Sequence, residues 1–206
     1  MGRLLFRPST LSASDSELAK ILSPSPFVRK SAASFASVRG PVLDLAGGSG
    51  RHAFYLAKSG ISVACLDIDL NPYFALQKRL ANYPQLLSRV NSMMIDLAND
   101  HWPFASGTVA GIVMVDFLLV SMFPKITDAL ATGGLLLVQT IGNRGQNYLQ
   151  LPTAGLLKDA LSGNFEFLYY DERSAGPSGA GVVTVRLLAR RMNATAADSA
   201  RREVST

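Results

Sequence analysis

The chain has 206 residues, 48% of them hydrophobic and 17% charged, which suits one domain with a substantial buried core and excludes a disordered chain. Its formal charge of +5 sits at the ends: residues 1–40 hold six Lys/Arg against two Asp/Glu, residues 190–206 four against two, and residues 41–189 ten against eleven. That distribution argues against a nucleic-acid partner. The apolar runs fall short of the roughly 18 residues of a membrane span. Cys65, the only cysteine, excludes a disulfide framework and a thiolate metal cluster; its apolar setting predicts a packed, inert thiol.

The segment Met1–Arg7 lacks the apolar core of a secretory signal, so a cytoplasmic protein is expected. Residues 1–40 read as an N-terminal arm and 191–206 as a small, polar, disordered tail, with the folded domain at 41–190. Val42–Leu45 reads as a buried first strand. Arg51–Ser59 suits a helix with Gly60 as its C′ residue, and Ile61–Asp67 a second strand. Asn71 is placed to cap a helix with Pro72 in its first turn, running to about Ala81. Ser92–Asp96 and Thr108–Val115 read as further strands, Leu118–Ala131 as a helix ending at Gly133-Gly134, and Leu135–Ile141 as the fifth strand. Thr153–Leu161 suits a helix. Phe165–Asp171 and Gly181–Ala189 are joined by a Gly/Ser/Pro loop that predicts an antiparallel hairpin. The order implies an α/β fold of the Rossmann-like, doubly wound kind: a seven-stranded, mostly parallel sheet with helices on both faces and a C-terminal antiparallel hairpin.

Asp44-Leu45-Ala46-Gly47-Gly48-Ser49-Gly50-Arg51-His52 carries the most information. A strand bearing a carboxylate runs into a glycine turn and then a helix N-terminus, where backbone N–H groups can meet a ligand. Gly48-Ser49-Gly50-Arg51-His52-Ala53 also fits GxGxxA, with Asp67 near the spacing of a ribose-binding acid, so an NAD(P)-dependent oxidoreductase is one reading. Asp44 favours another. A carboxylate there would repel a pyrophosphate but suits a ligand with an ammonium group, and S-adenosylmethionine has one.

With these residues in view, the chain resembles the class I S-adenosylmethionine-dependent methyltransferases over roughly residues 40–190. It looks closest to the small bacterial tellurite-resistance-like methyltransferases, through Ser25-Pro26-Phe27-Val28-Arg29 and the glycine turn. The resemblance implies that Asp44 and the backbone at Ala46, Gly47, Gly48 and Gly50 hold the methionine moiety. It implies that Asp67 takes the ribose hydroxyls, with Ile68 beside the adenine. Asp96 and the backbone of Leu97 would meet the adenine amino group, and Asp116 and Phe117 would form the floor between cofactor and acceptor. Two departures stand out: Ala46 replaces a glycine common in the family, and Val115–Leu119 lacks the polar and aromatic residues that close relatives often carry.

Methyl transfer from a sulfonium is an in-line displacement, and positioning alone supplies on the order of 7–11 kcal/mol. The chain has no Asn/Asp-Pro-Pro-aromatic signature and no Pro-Cys nucleophile, and His52 and His101 form no metal constellation; a small-molecule acceptor and no metal are therefore expected. Gln139–Tyr148, following the fifth strand, is the candidate acceptor wall, through its amides, Arg144 and Tyr148. Pro24–Phe35 is a candidate lid, with Phe27 and Arg29 facing the acceptor. Asp116, Tyr148 and His52 are the candidate proton acceptors, where one is needed. A module that binds the cofactor without turnover is a third reading.

Overall fold

The computed structural model describes residues 13–140, 151–176 and 180–193. Its strands are β1 (Val42–Leu45), β2 (Val63–Asp67), β3 (Val90–Met94), β4 (Val109–Val115), β5 (Leu130–Gln139), β6 (Phe165–Ala175) and β7 (Val182–Arg191), in the order β3-β2-β1-β4-β5-β7-β6. From β3 to β5 every neighbouring pair is parallel, and β7 runs antiparallel to both β5 and β6. The order reverses between β1 and β4, and in open α/β sheets such a switch point opens a crevice at the carboxyl ends of the strands.

Side-chain alternation divides the core in two. Val42, Val63, Cys65, Val113 and Leu137 face one layer, made by α1 (Ala13–Leu22), α2 (Pro26–Ala36), α3 (Arg51–Ala57), α4 (Asn71–Arg79) and α5 (Pro84–Leu87). Leu43, Leu45, Leu66, Ile112, Met114 and Leu136 face the other, where α6 (Phe123–Ala129) and α7 (Leu156–Leu161) pack. All seven residues of β4 are buried, as a strand covered on both faces requires. Part of the expected arm is core: α2 places Phe35, 1% exposed, against Gly111 of β4, where a Cβ would come within 2.7 Å of the ring. Burying that ring contributes about 1.5–3 kcal/mol.

Several boundaries differ from the sequence expectation. The helix expected over Leu118–Ala131 is a 3-10 turn, Val120–Met122, followed by α6, which has Pro124 in its first turn. Strand β5 begins at Leu130, so Gly133 and Gly134 lie within the strand rather than after a helix, beside an irregularity between Val109 and Gly111. Asn71 is not the cap of α4. Leu70 occupies that position, and Asp69 Oδ1 accepts from both the backbone N–H (2.9 Å) and the side-chain amide (2.8 Å) of Asn71. Strand β3 starts earlier than expected, at Val90, because that buried residue pairs with Val63. Helix α7 starts at Leu156, since Thr153 bridges to Val182 instead.

Candidate active site

The turn after β1 is built for close approach. A Cβ on Gly47 would lie 2.6 Å from Cys65 Sγ and 2.9 Å from Asp44 Oδ2, so only glycine fits between them. Gly50 caps α3 at φ +72, with the Tyr73 ring 2.8 Å from where a Cβ would stand. Ala46 holds φ +51, and its Cβ brings local strain there. Gly50 N–H closes the turn on the Gly47 carbonyl at 2.9 Å.

Asp44 lies inside β1, 1% exposed, paired in register with Cys65 and Val113. Its Oδ2 accepts the Ala53 N–H of α3 at 3.1 Å, whereas its buried Oδ1 has no partner among the described residues. Burial pushes its carboxyl up from the ordinary 3.8 to about 7, with Asp67 adding to the rise and the Ala53 N–H and the Arg51 charge opposing it. A buried carboxylate oxygen without a partner lacks compensation for its lost hydration, and a cationic donor that reached it would supply that compensation and favour the ionised form.

The other predicted residues line the same carboxyl edge. Asp67 ends β2, and its carboxylate accepts from Gly48 N–H (2.7 Å) and Asp69 N–H (3.0 Å), which ties it to the glycine turn. Next to it Ile68 is 65% exposed, and Met94, paired in register with Asp67, is 72% exposed; together they leave apolar surface at the mouth of the site. Asp96 sits in its own loop, where the Asn99 side chain and the Ala98 N–H hold its carboxyl below the usual range; Leu97 beside it is buried. Asp116 follows β4 at φ +59, its N–H donating to Gln139 O and its carboxylate 3.8 Å from the Arg51 guanidinium. Phe117 packs partly into the core.

A cavity of about 610 Å³ adjoins this edge through Arg51 and Asp116. One wall is Ser23–Ser25 and the start of α2, with Phe27 and Lys30, and the other is the β6–β7 hairpin, with Tyr169, Asp171, Arg173 and Arg186. Ser25 caps α2 through its Oγ, which accepts from Val28 N–H at 3.1 Å. Of the expected acceptor residues, Phe27, Gln139, Thr140 and Asp116 line the cavity, and Arg29 is exposed on α2 outside its lining. Arg144 and Tyr148 lie outside the described residues. Sequence reasoning misses the hairpin wall and Lys30; the alternating Tyr169, Asp171 and Arg173, which share one strand face, are the available signal.

His52 is buried in α3, and burial, followed by the Arg51 charge, lowers its imidazole to about 3. It is therefore neutral near pH 7 and a weak base, and it does not line the cavity. Cys65 is buried, and burial with the Asp44 and Asp67 charges raises its thiol, so it stays protonated as expected of a packed residue. Trp102 stacks edge-on with Phe104 at 5.1 Å against the second core layer. No group of three or more His, Cys, Asp or Glu among the described residues could hold a metal, and no helix among them is long and apolar enough to cross a membrane.

No family model and no curated protein sequence matches the chain. Solved structures do match its fold. The [4+2]-cyclase SpnF aligns with TM-score 0.62 at 18% identity, over 80% of this chain and 79% of that one. The glycopeptide N-methyltransferase MtfA aligns with TM-score 0.56 at 20% identity, over 81% and 94%. A protein of Methanococcus maripaludis, provisionally named an S-adenosyl-L-methionine-dependent methyltransferase, aligns with TM-score 0.57 at 15% identity, over 93% and 98%. The chain spans 65% of one longer match, a Pyrococcus horikoshii structure provisionally named a transferase. The chain thus shares the fold of these structures, a Rossmann-like, mostly parallel sheet closed by a reversed strand. Similarity at these identities defines the fold and leaves the activity to the site.

Proposed function

We propose that the chain is an S-adenosylmethionine-dependent methyltransferase acting on a small-molecule acceptor. One observation carries the reading: the buried Asp44 carboxylate, with an unpartnered Oδ1, lies against Gly47 of a turn whose Gly48 faces open space. An ammonium group placed there completes the oxygen's hydrogen bonding and stabilises the ionised acid, whereas a pyrophosphate would meet like charge. The reversed β7 adds support, because the dinucleotide fold keeps its six strands parallel in the order 3-2-1-4-5-6. The alternative of an NAD(P)-dependent oxidoreductase loses weight on both counts.

In this reading Asp44 and the backbone of residues 46–50 hold the methionine moiety, and Asp67, already fixed by Gly48 N–H, receives the ribose. Ile68, with Asp96 and Leu97, borders the adenine, and Asp116 and Phe117 separate cofactor from acceptor. The bound sulfonium supplies an activated methyl group. The chain's residues hold the acceptor in line with it and exclude water, Ser23–Ser25 and the start of α2 covering one side. Such positioning needs neither His52 nor Cys65. The segment Ser25–Arg29 supports placing the chain nearest the tellurite-resistance-like group, with residues 41–190 as the cofactor-binding domain. A cytoplasmic setting accords with Cys65 as a free thiol.

Incubating the protein with methyl-labelled S-adenosylmethionine and a cell extract, then separating small molecules, protein and nucleic acid, tests the proposal. Label in the small-molecule fraction is expected. Label confined to a macromolecular fraction overturns the acceptor class, and binding without any labelled product favours a non-catalytic module.

A further inference from the structure

The cavity beside the glycine turn carries an unbalanced charge. Among the described residues, Lys30, Arg51, Arg173 and Arg186 line it against Asp116 and Asp171. Asp116 is engaged with Arg51 at 3.8 Å. Asp171 is shared: it binds Arg173 Nε through both oxygens, at 2.9 and 3.2 Å, and its distance to Arg186 is 4.0 Å. Arg186 is therefore poorly matched by its carboxylate. Lys30 Nζ stands 5.4 Å from the centre of the Tyr169 ring and has no carboxylate within 4.0 Å among the described residues. The positive end of the α2 dipole, at Ser25 and Pro26, borders the same space.

We propose that the methyl acceptor is a small organic carboxylate with a flat apolar body, its carboxylate held by Lys30 and Arg186 and its body lying against Phe27 and Tyr169. The proposal rests on the methyltransferase reading of the adjoining turn. The planar fork of Arg186 matches a carboxylate edge, and Lys30 adds a point charge. Phe27 and Tyr169 form one aromatic wall, their rings 5.2 Å apart, and about 610 Å³ suits a metabolite rather than a macromolecular segment.

The sheet also orients the ligand. Along the carboxyl edge the order runs from the glycine turn of β1, through Asp116 after β4 and Gln139 of β5, to Arg186 of β7, which pairs in register with Gln139. Arg186 is thus two strand spacings, roughly 10 Å, from Asp116. Asp116 and Arg51 balance each other at the cofactor end, whereas Arg173 and Arg186 share the single Asp171 carboxylate at the hairpin end, so the anionic group goes to the hairpin end and the remainder of the molecule points toward the methyl donor.

The full-length protein, saturated with S-adenosylhomocysteine, is titrated calorimetrically with benzoate, its neutral isostere benzamide and inorganic phosphate. Benzoate is expected to bind at least tenfold more tightly than benzamide or phosphate. Arg186→Gln and Lys30→Met, both away from the glycine turn, are each expected to weaken benzoate about tenfold while leaving the melting temperature and S-adenosylhomocysteine affinity unchanged. Benzamide or phosphate binding as well as benzoate, no benzoate binding, or variants without effect on it would overturn the proposal. Benzoate binding to a protein that ignores S-adenosylhomocysteine would instead overturn the methyltransferase reading and leave the carboxylate site standing.

Discussion

Replacing Asp44 by asparagine separates what this residue does for folding from what it does for binding. With burial lifting its carboxyl from 3.8 to about 7, the native state keeps a proton that the unfolded chain loses in this interval. Native protein then binds more protons than unfolded protein, so stability falls as pH rises from about 4 to about 7 and levels off above. Three units correspond to roughly 4 kcal/mol, the cost of ionising Asp44 in place. The Asp44→Asn side chain carries no such cost, and its oxygen can still accept the Ala53 N–H. Its amide hydrogens, however, replace the unpartnered Oδ1, at a cost of about 1–3 kcal/mol. The variant should therefore be more stable than the parent by about 1–3 kcal/mol at pH 9, a rise of roughly 2–12 °C in melting temperature for a chain of this size. At pH 5, where Asp44 is protonated, it should be no more stable or slightly less. The same variant should lose at least tenfold in S-adenosylhomocysteine affinity at pH 8. Melting curves of both proteins at pH 5, 7 and 9 supply the check. A stability difference of the same sign and size at all three pH values would mean that Asp44 is not held protonated by burial.

Other outcomes follow from the same geometry. Asp67→Ala should retain the fold but reduce the melting-temperature rise given by S-adenosylhomocysteine by at least half, as read in a thermal shift series. Gly47→Ala, whose Cβ would stand 2.6 Å from Cys65 Sγ, should lower stability by roughly 1–3 kcal/mol in urea titration, and Cys65→Ala in the same chain should restore part of the loss. Cys65 should react with a thiol reagent at pH 8 only when the protein is unfolded by denaturant, because the buried thiol is both covered and protonated.

Much of the fold is legible in the sequence because its signals are local or periodic. The apolar setting of Val42–Leu45 and the continuous apolar run of Val109–Val115 mark strands buried on both faces, and the loop after Ala175 marks the reversed hairpin. The glycine turn can be read because Asp44, Gly47 and Gly50 act within seven residues of one another. The start of β5 cannot, since Gly133 and Gly134 imitate a helix terminus and only pairing with β4 draws Leu130 into the sheet. Asn71 reads as a cap because its side chain suits one, but Asp69 outcompetes it from two residues upstream. The cavity wall is hidden for a different reason. Tyr169, Asp171 and Arg173 look like the solvent face of a hairpin, and only the tertiary placement of α2 opposite them turns that face into a lining.

An acid-bearing first strand that grips an amino-acid headgroup, rather than phosphates, should reveal itself in a choice between two ligands. The decisive measurement is calorimetric titration of the full chain with S-adenosylhomocysteine and with NAD at pH 8, side by side. Saturable one-to-one binding of S-adenosylhomocysteine is expected, weakening about tenfold for each pH unit below 7, where Asp44 must give up its proton to bind. Saturable binding of NAD with none of S-adenosylhomocysteine would show that the strand serves a dinucleotide instead.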